Sequence, residues 1–193
     1  MKTRKNIFVV ITGPSGAGKT TVTQALLKHI PNSTRLITTT TREKRDGETD
    51  GIDYNFVTDK EFLTMKENGD FFEYAEVYGK YYGSQKTKLK ELLQKHPVVF
   101  SLVDVEGAQT IKTKIPDALT VFIAPDSIKE LKTRLLKRDD TDKKDIEKRI
   151  KKAEYEMDTA QEFDVIVKNI NGELDKTIQK ILDCIHNYSS ILE

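Results

Sequence analysis

The sequence predicts an α/β fold: a parallel sheet core flanked by helices, with one inserted subdomain and one helical flap. Two observations carry that prediction. The run at 7–11 is β-branched and continuously apolar, as expected for a strand buried on both faces of a parallel sheet, and 97–103, 119–123 and 165–167 also read as strands. They alternate with amphipathic helical stretches, and that alternation implies right-handed crossovers between parallel strands.

Ile7, Phe8, Val9, Val10 and Ile11 make the first strand. A glycine-rich turn follows, then a helix over 20–30, with Val22, Ala25, Leu26 and Ile30 at helical spacing and Pro31 as its stop. Residues 97–103 read as a second strand, and 119–123 as a third, ended by Ala124 and Pro125. Asp126 or Ser127 then caps a helix through Leu131 and Leu135. Val165, Ile166 and Val167 make a short fourth strand, and 174–185 a closing amphipathic helix. Two stretches break the alternation. Residues 38–95 are rich in Thr, Tyr, Gly and charge, with strand-like pieces such as Tyr54, Asn55, Phe56 and Val57, and read as an inserted subdomain. Residues 138–160 are highly charged, and Ile146, Ile150, Ala153 and Met157 mark a helix with a narrow apolar stripe, read as a mobile flap.

A chain of 193 residues, 37% hydrophobic and 33% charged, suits one globular domain and argues against disorder. Its formal net charge of +1 argues against a surface that binds nucleic acid as a whole, so any anion site must be local. Cys184, alone, forms no intrachain disulfide; among Ile181, Leu182 and Ile185 it reads as a buried structural thiol. The apolar run at 7–11 is too short for a signal-peptide core, and no stretch reaches a membrane span. The expected compartment is the cytoplasm, with neither nucleic acid nor membrane as partner.

Gly13-Pro14-Ser15-Gly16-Ala17-Gly18-Lys19-Thr20 fits the pattern G-x-x-x-x-G-K-[ST]. It follows a strand and opens a helix, as phosphate binding requires. Glycines let the backbone curl so that several N–H groups face one phosphate, and the helix N-terminus adds partial positive charge. Lys19 reaches the β- and γ-phosphates, and the Thr20 hydroxyl ligates magnesium. This motif points to a nucleoside triphosphate and leaves the acceptor open. Arg42 and Arg45, with hydroxyls before them and Tyr54 after, suit a clamp for a phosphate monoester; a solvated basic loop would look the same.

Over nearly its whole length the chain resembles the guanylate kinase family. The resemblance rests on the phosphate loop, the T-T-R-x-x-R-x-G-E run at 40–48, and the G-x-D-Y-x-F run at 51–56. Phe72-Glu73-Tyr74-Ala75, Tyr81-Tyr82-Gly83-Ser84, Asp104-Val105-Glu106-Gly107, Arg134, Arg138 and Arg149 complete it in order and spacing. It implies a P-loop kinase fold with an inserted NMP-binding subdomain and a helical lid. The domain would divide into a core (1–37, 96–137 and 161–193), a GMP-binding subdomain (38–95) and a lid (138–160). It implies phosphorylation of GMP, and of dGMP, by ATP with Mg2+. ATP would lie on Gly13, Ser15, Gly16, Ala17, Gly18, Lys19, Thr20 and Thr21. Arg42, Arg45, Tyr54 and Tyr82 would hold the GMP phosphate, with Glu48 orienting Arg45. Glu73, Ser84, Asp104 and Thr38 would surround the guanine. Lys19, Arg134, Arg138 and Arg149 would embrace the transferring phosphoryl group. Thr20 would ligate the metal, and Asp104 would reach it through water.

The sequence departs from the family where an acid of a D-x-D pair becomes Leu102, where a serine becomes Thr38, and where Asp139 replaces a glycine. The segment Lys168-Asn169-Ile170-Asn171-Gly172 also reads as a loop one or two residues longer than usual, facing the ATP base. Leu102 motivates a second reading, a P-loop kinase for another small phosphate ester, against which Glu73 and Tyr82 weigh. A third reading is a non-catalytic binding module; such modules lose the loop lysine and lid arginines, and Lys19, Thr20, Arg138 and Arg149 are all present.

Overall fold

The computed structural model describes residues 6–136 and 143–191. β1 (Ile7–Thr12) is buried at every position. After the glycine-rich turn come α1 (Lys19–His29) and three two-residue strands, β2 (Thr34–Arg35), β3 (Thr39–Thr40) and β4 (Asn55–Phe56). α2 (Asp59–Glu67) starts on a reciprocal capping box between Thr58 and Glu61. β5 (Phe71–Val77) and β6 (Lys80–Gln85) form a hairpin, and α3 (Lys86–Lys95) returns the chain to β7 (Val98–Leu102). α4 (Val105–Lys114), β8 (Ala118–Pro125), α5 (Ile128–Leu136) and α6 (Lys143–Asp158) follow. A 3-10 turn leads to β9 (Val165–Asn169) and α7 (Leu174–Ile191).

Two sheets result. The first is parallel throughout, in the order β2-β7-β1-β8-β9. Alternate residues of β1 enter opposite cores: Val9 and Ile11 pack with Val22, Leu26 and Ile181, and Phe8 and Val10 with Ile111, Phe122 and Phe163. Each such side chain removed from water contributes ~1.5–3 kcal/mol, which is why no position in the run can be polar without loss. The second sheet, β4-β3-β6-β5, is mixed and lies within the inserted stretch. The stripe of α6 packs Ile146, Ile150 and Ala153 on Leu131 and Leu135 of α5, while Met157 joins the core around Phe122.

Some boundaries differ from the sequence reading. The third strand does not end before Ala124: it runs through Pro125, which pairs with Asn169, because a proline is tolerated at a strand end. Ser127 is the cap, its hydroxyl accepting the Glu130 N–H at 3.1 Å. The last helix runs on to Ile191. Cys184 is only partly buried, and burial and then Asp183 raise its thiol pKa, which lowers its thiolate fraction. Asp164 sets the register of β9 by accepting the Thr120 N–H at 2.8 Å and hydroxyl at 2.5 Å, with Lys112 at 2.7 Å.

Candidate active site

The phosphate loop joins β1 to α1. Gly13 has φ 129°, and a Cβ there would collide with the Ile123 carbonyl of the neighbouring strand, so only glycine fits. Gly18, the N-cap of α1, has φ 95° and is overlaid by the side chain of Asn169, which donates from Nδ2 to the Ala17 carbonyl at 2.8 Å. The end of β9 thus braces the loop from behind. Lys19 folds back over the loop, its Nζ donating to the carbonyls of Gly13 at 2.6 Å and Pro14 at 3.0 Å. Thr20 and Thr21 are exposed. Arg134 of α5 is held by Glu130 at 3.2 Å and the Asn169 carbonyl at 3.3 Å.

A cavity of about 860 Å³ opens from this loop toward the second sheet. On that sheet's side stand Arg42, Arg45, Tyr54 and Tyr82. Glu48 takes the Arg42 guanidinium on both carboxylate oxygens at 2.7 and 2.9 Å and accepts the Arg45 backbone N–H at 2.9 Å. Glu48 thus grips the guanidinium of Arg42 and the backbone of Arg45, and the Arg45 charge also helps to lower its pKa. Burial works against both charges, yet their hydrogen bond and mutual attraction leave the Arg42 pKa raised and the Glu48 pKa lowered. Arg42 also lies over the Tyr54 ring at 5.3 Å, and the Tyr54 and Tyr82 rings meet edge-on at 6.0 Å. Burial, then Tyr82, raises the Tyr54 pKa, so its hydroxyl keeps a proton to donate.

Glu73, on β5, is only 2% exposed. Ser84, on β6, and Asp104, the N-cap of α4, flank it. The Ser84 hydroxyl approaches without closing a well-formed bond, and Glu73 Oε1, Ser84 Oγ and Asp104 Oδ2 are all buried without a hydrogen-bond partner. Burial pushes the Glu73 carboxyl up to about 7; Ser84 and Lys114 pull it down and Asp104 pushes it further up. Three unsatisfied polar atoms in one wall are costly unless a ligand with matching donors arrives.

The opposite side comes from α6. Arg149, Lys152 and Glu156 fall on one helix face and line the cavity. Lys152 Nζ sits 3.7 Å from Asp104 and 3.8 Å from both Glu106 and Glu156. Glu156 is 5% exposed; burial raises its pKa against the pull of Lys152 and Lys19. Among the described residues no group of three or more His, Cys, Asp or Glu side chains stands where it could hold a metal. Thr20 and Asp104, both on the cavity, still suit a magnesium ion held mainly by nucleotide phosphates and water, which takes one or two protein oxygens.

Of the residues expected from sequence, most of the loop, Thr38, Arg42, Arg45, Tyr54, Glu73, Tyr82, Asp104, Arg134 and Arg149 line this one cavity. Gly13, Ala17 and Ser84 are buried around it, and Glu48 braces Arg42. Arg138 lies outside the described residues. In the segment 168–172, Lys168 and Asn169 belong to β9, and Asn169, Ile170, Asn171 and Gly172 line the cavity. Sequence reasoning missed Tyr78, Lys152, Glu156 and Asn169. The spacing of Lys152 and Glu156 from Arg149, three and seven residues, would have placed both on its helix face. Among the described residues no helix is long and apolar enough to cross a membrane.

A family model described as guanylate kinase matches residues 5–188. A guanylate kinase of Helicobacter pylori is 40% identical over 175 residues, covering 91% of this chain and 84% of that one. One of Salinibacter ruber is 38% identical over 185 residues, covering 95% and 97%. The crystal structure of guanylate kinase from Anaplasma phagocytophilum superposes with a TM-score of 0.79 at 26% identity, covering 97% of this chain and 88% of that one. A shikimate kinase structure from Bacteroides thetaiotaomicron, at 17% identity and a TM-score of 0.52, shares the fold.

Proposed function

The chain belongs to the guanylate kinase family, and we propose that it transfers the γ-phosphoryl group of ATP to GMP, giving ADP and GDP, with dGMP as a second acceptor. The observation that carries this reading is Glu73, a buried carboxylate with an unpartnered oxygen in the wall of the cavity that also holds the phosphate loop. Guanine offers N1–H and its 2-amino group side by side as donors, and an ionised carboxylate accepts both.

Arg42, Arg45, Tyr54 and Tyr82 bind the GMP phosphate in this reading, and Thr38, Ser84 and Asp104 complete the base site. A GMP phosphate oxygen attacks Pγ, the bond from Pγ to the β-bridging oxygen breaks, and ADP leaves with the bond's electrons. Lys19 and the loop N–H groups hold the β- and γ-phosphates, while Arg134, Arg149 and Arg138 face the charge that spreads over the equatorial oxygens. Magnesium, when bound through Thr20 and a water on Asp104, neutralises charge on the ATP phosphates. Residues 38–95 serve as the GMP-binding subdomain, 138–160 as the lid, and 1–37, 96–137 and 161–193 as the core. ATP and GMP are the partners and the cytoplasm, where both pools lie, is the compartment. A coupled ADP-release assay with GMP, dGMP, AMP, CMP and UMP tests the reading: turnover should be fast with the guanine nucleotides only. A chain that turns over none of them, or prefers another base, refutes it.

A further inference from the structure

The hairpin between β5 and β6 turns on two residues, Tyr78 and Gly79, closed by the pair Val77 and Lys80. Both central residues have positive φ, 51° and 72°. That is the type I′ geometry, which matches the strand twist and favours Asn-Gly or Gly-Gly. A tyrosine there crowds its own backbone. Nor does Tyr78 serve a core, since it is 52% exposed. The hairpin asks for Asn or Gly, so a tyrosine there calls for a reason beyond the turn, and its ring contacts offer one.

The ring lines the cavity and faces α6. Arg149 Cζ is 5.4 Å from the ring centroid and Lys152 Nζ 5.7 Å. Arg149 Nε is buried without a hydrogen-bond partner. An aromatic face attracts a cation through its quadrupole without using the cation's N–H groups. A carboxylate in the same place would hold the guanidinium by those N–H groups and compete with any phosphate for them.

We infer that Tyr78 is a positioning residue: its ring holds Arg149 at the cavity with the guanidinium donors left free for the transferring phosphoryl group. It thereby ties the tip of the β5–β6 hairpin to α6, joining the wall that carries the acceptor clamp to the wall that carries the arginine. This rests on the GMP kinase reading of the site.

Tyr78→Asn removes the ring and keeps a residue at ease in the left-handed region; Tyr78→Phe keeps the ring. With GMP and ATP, Tyr78→Asn should lower kcat about tenfold, while KM for GMP stays within about twofold and the thermal midpoint holds or rises. Tyr78→Phe should restore kcat to within about twofold of wild type. In an Arg149→Ala background, Tyr78→Asn should cost almost nothing further, because the two changes remove one interaction. The inference is overturned if Tyr78→Asn leaves kcat unchanged, or if Tyr78→Phe is as slow as Tyr78→Asn. It is also overturned if Tyr78→Asn mainly raises KM for GMP. Tyr82 of the GMP clamp sits on the same hairpin, so that last outcome would mean Tyr78 merely shapes the turn. Wild-type protein inactive on GMP would instead sink the reading of the site, which keeps the two failures apart.

Discussion

Acidification should weaken guanine recognition through a single carboxyl. Glu73 has its pKa pushed up to about 7, first by burial, with Ser84 and Lys114 opposing and Asp104 reinforcing. Only the ionised form accepts both guanine donors, so GMP binding below about pH 7 must first release a proton. A group of that pKa is about one-tenth ionised at pH 6 and about nine-tenths at pH 8. KM for GMP should therefore be about tenfold higher at pH 6 than at pH 8, while KM for ATP changes little. A protonated Glu73 can donate to adenine N1, so the preference for GMP over AMP should narrow over the same range. The GMP phosphate itself titrates near pH 6, and Glu73→Gln separates the two effects, since the amide does not ionise. The variant should bind GMP poorly at every pH and retain only the phosphate's share of the slope. Stability moves with the same proton. Between about pH 4.5 and 7 the folded chain keeps a proton that the unfolded chain has released, so stability is fully present below that window and falls as pH rises through it. The loss is on the order of 3 kcal/mol at most, and Glu73→Gln should abolish it in denaturant titrations. Equal pH slopes of KM for GMP in wild type and Glu73→Gln would refute the assignment of guanine recognition to this carboxylate.

Three further outcomes are expected. Lys19→Ala should lower kcat on the order of 100-fold or more with the fold intact, because the Lys19 ammonium sits over the loop on the carbonyls of Gly13 and Pro14; near-normal turnover would remove the loop lysine from the chemistry. Glu48→Gln weakens the two-oxygen grip on Arg42, so KM for GMP should rise about tenfold with kcat little changed, and an unchanged KM would show that Arg42 holds its place without it. Leu102→Asp adds a carboxylate on the cavity at the end of β7 and should lower the magnesium concentration for half-maximal activity; because Leu102 packs against the core, it should also cost ~1–3 kcal/mol in urea unfolding, and a higher magnesium requirement would count against the reasoning.

The core strands were legible because burial on both faces leaves a long apolar run, unbroken over 7–11 of β1 and interrupted only by Thr120 between Ala118 and Ala124 of β8. The stripe of α6 was legible because its apolar positions keep helical spacing despite the surrounding charge. The second sheet was not. β3 is two buried threonines whose place is set by partners far along the chain, with Thr40 Oγ1 donating to the Tyr81 carbonyl. In β5, Phe71, Phe72 and Glu73 are all buried, and an irregularity in register breaks the alternation that would mark a strand. α3 hides three leucines among lysines. In the site, motif residues were readable because their chemistry is local. Asn169 was not, since its function is a contact with Ala17 across the sheet. Tyr78 reads as an ordinary turn neighbour until α6 is folded over it.

The brace from Asn169 to the phosphate loop also bears on how the protein is made. The loop leaves the ribosome well before its supports do: β1 pairs with β7 and β8, and the residue that supports Ala17 lies 152 positions downstream. Until those strands emerge, an apolar strand waits without partners and the loop lacks its backing. Such long-range closure slows folding and lengthens the exposure of sticky surface. Nascent chains stalled before β9 should therefore bind ATP weakly and recruit chaperones, and chains stalled after α7 should do neither.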